Sequence, residues 1–176
     1  MLAFPSLPTE ELPLQPIDMH MTPDGTKWWI AGREGEIMEV EAEGPNVASL
    51  VLNMSDKIVL SNEEGLLGFA FSPSFHATGL FYISYSVRGT EGQWAANRLS
   101  KVVYDAGSPA NTLDSVEILI TTSDKLSSTH SAGWVGFKPS AYGEPSAAFH
   151  DLFWSVGDGG PQNDLSNRGQ DVNEYH

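Results

Sequence analysis

Apolar residues fall along this chain in short alternating runs bounded by turn formers, and no segment sustains a helical period over three turns. That pattern predicts an all-β protein. Ile17 to Met21 reads as a strand, Pro23-Asp24-Gly25-Thr26 as a turn, Lys27 to Ala31 as a second strand, Gly32 to Gly35 as another turn, and Glu36 to Val40 as a third strand. A second cycle runs from Gly68-Phe-Ala-Phe-Ser-Pro73-Ser through Leu80 to Val87, Arg98 to Tyr104 and Val116 to Thr121. A third begins after His130, where Gly136-Phe-Lys-Pro139-Ser leads through a longer loop to Leu152 to Val156. The order Gly-Phe, Pro-Ser, loop, aromatic strand, Ser, Val therefore occurs twice, with a weaker copy at Asp18 to Ala31.

Repeats of several tens of residues, each with three or four short strands, suggest β-propeller blades, with an irregular β-sandwich as the alternative. Propellers close with at least about four blades, and this chain supplies roughly two to three. The expectation is a partial propeller over residues 17–176, after a Pro-rich N-terminal segment at 1–16. Open blade edges carry unpaired strand groups and apolar faces, which invite self-association.

Charge narrows the partners. With 23 acidic and 9 basic residues the formal charge is −14, which argues against nucleic acid and anionic membrane, because both are bound through clustered Lys and Arg. No cysteine is present, so disulfides, thiol catalysis and Cys-ligated zinc are excluded. The opening Met1-Leu-Ala-Phe-Pro-Ser-Leu-Pro lacks a basic region and a continuous apolar stretch, so neither a signal peptide nor a membrane span is visible.

The chemistry concentrates near the C-terminal third. In Asp151-Leu-Phe-Trp-Ser-Val-Gly-Asp158-Gly-Gly160 a β-prone run ends in a carboxylate held between glycines, which puts an acid at a strand exit. His130 stands among small residues before a predicted strand, and on a propeller it and Asp158 could share one axial face. An imidazole oriented by a carboxylate is a general base, although a lone histidine is more often a loop residue satisfied by water. His20, His76, His150 and His176 read as surface or strand positions. The loop from Asp158 to Asp171 carries Asp158, Asn163, Asp164, Asn167, Gln170 and Asp171 among glycines, and such oxygen-rich segments either ligate calcium or cap turns. Asp158, Asp164 and Asp171 are the candidate metal ligands. Trp28, Trp29, Trp94, Trp134 and Trp154 could stack on a sugar or flat cofactor, but most strand aromatics are core. No Walker or dinucleotide fingerprint is present, since Gly157-Asp-Gly-Gly160 is not followed by a helical pattern.

Taken in order, Glu63-Glu-Gly65-Leu-Leu-Gly-Phe-Ala-Phe-Ser-Pro73-Ser-Phe, Gly79-Leu-Phe-Tyr-Ile-Ser-Tyr85, His130-Ser-Ala-Gly133, Val156-Gly-Asp158-Gly-Gly160 and Gly169-Gln-Asp171 resemble the glucose/sorbosone dehydrogenase family. These are soluble quinoprotein sugar dehydrogenases with a six-bladed propeller, and the family includes Hedgehog-interacting-protein-like members. The similarity runs from about Ile17 onward and matches the N-terminal part of the family's domain. It implies oxidation of a sugar hydroxyl by pyrroloquinoline quinone (PQQ) with calcium, electrons passing to an external acceptor, and an extracellular or periplasmic location. By the same resemblance His130 is the base, Asp158 orients it, and Glu63 and Asn163 lie near the substrate.

Two positions depart from the family pattern. The usual His-Asn-Gly-Gly reads His130-Ser131-Ala132-Gly133, and Glu63 stands where glucose-oxidising members carry glutamine. The basic residues that grip PQQ and most calcium ligands belong to later blades of the family. A non-catalytic propeller that binds protein or glycan, as the Hedgehog-interacting relatives do, is the alternative.

Overall fold

The computed structural model describes residues 12–13, 15–44, 47–89, 95–122, 125–138, 151–164 and 167–171. Trp94, His150, His176 and most of the Pro-rich segment lie outside the described residues. Strands β1 (Pro16–Met21), β2 (Lys27–Gly32), β3 (Glu36–Glu41) and β4 (Ala48–Asn53) form one antiparallel meander in chain order. A second consists of β5 (Leu66–Phe71), β6 (Leu80–Arg88), β7 (Ala95–Val103) and β8 (Glu117–Thr121). A hairpin of β9 (Ala132–Phe137) and β10 (Leu152–Val156) begins a third. Two four-stranded blades and part of another are what the repeat predicted.

The differences from expectation are local. Strand β4 completes the first blade and was not anticipated, because Ala48-Ser-Leu-Val-Leu-Asn53 follows a glycine-containing segment and lacks aromatics. Two short helices, α1 (Phe75–Thr78) and α2 (Pro109–Asp114), occupy connections. For α2 the signal was present: Ser108 Oγ accepts from the Asn111 N–H, and Pro109 begins the helix, where its missing N–H costs nothing. In the third repeat the strand starts at Ala132 rather than Gly136, directly after the His130 loop.

Strand β5 lies between β1 and β9. Asp18 Oδ2 of β1 accepts the Phe69 N–H of β5 at 3.1 Å. A Cβ on Gly68 would sit 3.0 Å from the Gly133 carbonyl of β9 and 3.4 Å from Asp18 Oδ2, so close approach here requires glycine. These contacts match corresponding positions near the starts of three strands, which therefore run side by side with their leading loops at one end.

The second blade is packed on both faces. Every residue of β5 is buried, which explains why its apolar run does not alternate. Phe69, Phe71, Phe81 and Ile83 face Trp29, Ile37, Val51 and Leu52 of the first blade. Ala70 and Leu99 face Val135 of the third, with Tyr82, Leu152 and Trp154 alongside. Trp29 is fully buried at the centre, edge-on to Phe71, Phe75, Phe81 and Tyr104 with centroids 4.9–5.5 Å apart. Its indole N–H donates to Glu39 Oε2, which also accepts from Tyr104 OH, while Lys27 Nζ holds Oε1 at 2.6 Å. One carboxylate thus satisfies the polar atoms that this aromatic cluster buries. Among the described residues no helix is long and apolar enough to cross a membrane.

Because Trp29 fills the space between two blades, Trp29→Ala is expected to lower stability by about 3–5 kcal/mol, read from urea unfolding. A loss below about 1 kcal/mol would contradict the central role assigned to this side chain.

Candidate functional site

His130 sits on the loop entering β9, and Asp158 follows β10, its hairpin partner. The hairpin returns the chain beside its own start, so residues 28 positions apart meet: His130 Nδ1 lies 2.6 Å from Asp158 Oδ1. The same Asp158 oxygen accepts the Gly160 N–H at 2.9 Å. That amide above all, and then the His130 ring, hold the Asp158 carboxyl below the usual carboxylate range, against the opposing effect of burial. An ionised Asp158 can only accept, so Nδ1 carries the proton and Nε2 is the basic nitrogen of the neutral ring. No described residue engages Nε2, and the His130 side chain is about a third exposed.

The backbone of His130 is unusual. Its φ of 52° lies in the left-handed region, which a residue with a side chain occupies only when its surroundings enforce it. They do so here from three sides. Its N–H donates to Glu63 Oε2 at 2.6 Å, its carbonyl accepts from Gly159 N–H at 3.1 Å, and the Ser131 carbonyl accepts from Gly157 N–H at 3.1 Å. The glycines of the Asp158 turn are required by contact: a Cβ on Gly157 would strike the His130 carbonyl, and one on Gly160 would strike Ser127 Oγ. Gly159 and Gly160 also have φ of 74° and 66°.

Beneath this loop lies a group that sequence reasoning did not single out. Lys125 is 1% exposed in its side chain and pairs at 2.9 Å with Glu64 Oε1, which is 4% exposed. Its Nζ also donates to Ser131 Oγ at 2.7 Å. The only available signal was a second acid beside Glu63 and a lysine five residues before His130, and neither is distinctive.

Glu63 reaches the His130 backbone. Asn163 is exposed in a single 3-10 turn, Gln162–Asp164, with φ of 67°. Asp164 accepts from the Gly169 N–H at 3.2 Å, and Asp171 follows a second 3-10 turn, Arg168–Gln170. Asp158 and Asp171 line one cleft and Asp164 lies on the other side of Gly169, yet among the described residues no three His, Asp or Glu side chains come together as a metal site. Trp29 is core and Trp154 is partly buried, donating to Ser84 Oγ at 2.9 Å, whereas Trp134 is 55% exposed.

A cleft of about 530 Å³ adjoins Asp158 between the second and third blades, lined by Leu99, Ile120, Trp154, Asp158, Arg168 and Asp171 among others. A smaller one of about 280 Å³, near Met21, Phe71 and Phe137, lies at the opposite ends of the inner strands and away from His130.

Two four-stranded meanders followed by the start of a third, packed face to face, are β-propeller blades. The profile described as Glucose / Sorbosone dehydrogenase matches residues 14–175, and the chain belongs to that family. Among solved structures it is similar to the PQQ-bound form of aldose sugar dehydrogenase from Streptomyces coelicolor, with 21% identity and a TM-score of 0.66 over 84% of this chain and 39% of that one. It is also similar to the apo form of soluble aldose sugar dehydrogenase from Escherichia coli, with 18% identity and a TM-score of 0.64 over 93% of this chain and 42% of that one. The chain thus spans about two fifths of the structures it matches. No curated protein sequence matches it.

Asp158 has a depressed folded value, so its stabilising effect is present above the unfolded carboxylate range near pH 4 and is lost as pH falls through the lower folded value. The urea midpoint of the native chain is therefore expected to exceed that of Asp158→Asn at pH 7, with the gap closing below about pH 4. A gap that persists unchanged at pH 2–3 would contradict this assignment.

Proposed function

We propose that this chain carries the proton-accepting side of a PQQ-dependent sugar dehydrogenase site, with His130 as general base and Asp158 as the carboxylate that orients it. The observation that carries the reading is the 2.6 Å contact between His130 Nδ1 and Asp158 Oδ1, which leaves Nε2 open toward solvent. In this scheme Nε2 takes the proton of a sugar hydroxyl while the carbon beneath gives up a hydride to a two-electron acceptor, yielding a carbonyl and imidazolium. The imidazolium is stabilised by ionised Asp158. The cleft beside Asp158, within the range that encloses small ligands, is the place for the sugar ring, with Trp154 as an apolar wall.

The cofactor is a separate matter. The described residues do not by themselves assemble a site for calcium or the quinone tricarboxylate: among them no three acidic side chains converge, Lys125 is buried against Glu64, and Arg168 is the cation that lines the cleft beside Asp158. The set of groups that would hold PQQ and calcium is therefore incomplete among the described residues. A non-catalytic role in binding protein or glycan remains the competing reading, and a His130→Ala variant of unchanged function would favour it.

In the protein purified from its source, dye reduction with sugar is expected to require both PQQ and calcium. His130→Ala and Asp158→Asn should each lower kcat by on the order of 100-fold or more. Full activity in either variant would overturn the assignment. For the 176-residue chain alone, titration with PQQ followed by tryptophan fluorescence is expected to give no sub-micromolar binding; tight binding would refute the conclusion that the described residues do not suffice to hold the cofactor.

A further inference from the structure

The buried Lys125–Glu64 pair lies directly under the loop that bears His130. Glu63 and Glu64 precede β5 of the second blade, and Lys125 is anchored to the same blade by its N–H on the Ala95 carbonyl of β7, whereas Ser131 and His130 lead into β9 of the third. The adjacent acids act at two points: Glu63 accepts the His130 N–H, and Glu64 Oε1 lies 2.9 Å from the Lys125 ammonium as its ion-pair partner. Lys125 in turn donates to Ser131 Oγ, immediately after His130. The stem of Lys125 also supports the Asp158 turn, since a Cβ on Gly159 would lie 3.2–3.3 Å from three of its carbons. The Leu126 and Ser127 amides both donate to the Gly159 carbonyl.

A lysine with 1% of its side chain exposed requires a purpose, because a single buried cation without its partners is costly. We infer that Lys125 is a positioning residue: through Ser131 and Glu64 it fixes the left-handed backbone of His130 and holds the ring on Asp158. Ser131, one of the departures from the family pattern, is then the hydroxyl through which this cation acts. The inference deepens the functional reading above, in that the geometry it maintains is the one assigned to the base.

The test replaces both charges with apolar groups of similar length, Lys125→Met with Glu64→Leu, so that no unpaired buried charge remains. In native chain labelled with 15N-histidine, the His130 Nδ1–H is expected to exchange slowly with solvent because Asp158 holds it. In the double variant, folded by near-UV circular dichroism, exchange should accelerate by at least about tenfold. In the protein from its source kcat should fall by about tenfold or more, with KM within about twofold, as expected when a base is misplaced while substrate binding is kept.

If the double variant does not fold, Ser131→Ala, which removes only the hydroxyl that Lys125 engages, is read in the same way, with exchange faster by about threefold. Exchange that is unchanged in a folded variant overturns the inference, as does a native Nδ1–H that shows no protection. Because exchange needs no turnover, a native protein that lacks dehydrogenase activity yet loses protection in the variant would sink the functional reading and leave the positioning role standing.

Discussion

Burial of the second blade on both faces is the constraint from which the rest follows. Its inner strand, Leu66–Phe71, has no exposed residue, so it must be covered by the first blade on one side and by the third on the other. Trp29 secures the first contact, with four aromatic edges around it and its indole N–H on Glu39. The smaller Ala70, Leu99 and Val135 make the second. Packing of this kind does not slide easily, because interiors are dense and side chains interdigitate. The loops before β5 and β9 are consequently held at one end of the blades, within reach of each other.

That proximity is spent on one histidine. Holding a residue with a side chain at positive φ costs on the order of 1–3 kcal/mol, and His130 is held there by Glu63, Gly159 and the adjoining Ser131–Gly157 contact. The glycines at 157, 159 and 160 give the facing turn the room it needs. Below them the Lys125–Glu64 pair is fully desolvated. Breaking one half of such a pair costs roughly 3–5 kcal/mol, so it keeps the two loops in a single arrangement. The site is therefore rigid for reasons of backbone and buried charge, and not because of the His–Asp contact alone.

Glu63 makes a contact that its place in the sequence does not announce. By resemblance it stands near the substrate, and in the structure its carboxylate is committed to the His130 amide. A glutamine could accept the same hydrogen bond through its carbonyl oxygen, so this contact accounts for either residue at the position. Asn163, expected beside the substrate, is on an exposed left-handed turn. Side chains in such loops are directed by local backbone geometry, which residue type does not reveal.

Much was legible from residue order. The alternation of apolar positions with turn formers locates nine of the ten strands among the described residues, and the repeated Gly-Phe to Ser-Val pattern reports blades, because each strand's period and each turn's chemistry are local properties. His130 and Asp158 stand out for the same reason, each framed by small residues that leave space around it. Their meeting at 2.6 Å, the pairing of Lys125 with Glu64 beneath the His130 loop, and the seating of Glu63 on a backbone amide depend on which loops the folded sheets bring together. Those contacts join residues 28 to 67 positions apart, and local patterning carries no record of distances that only packed sheets impose.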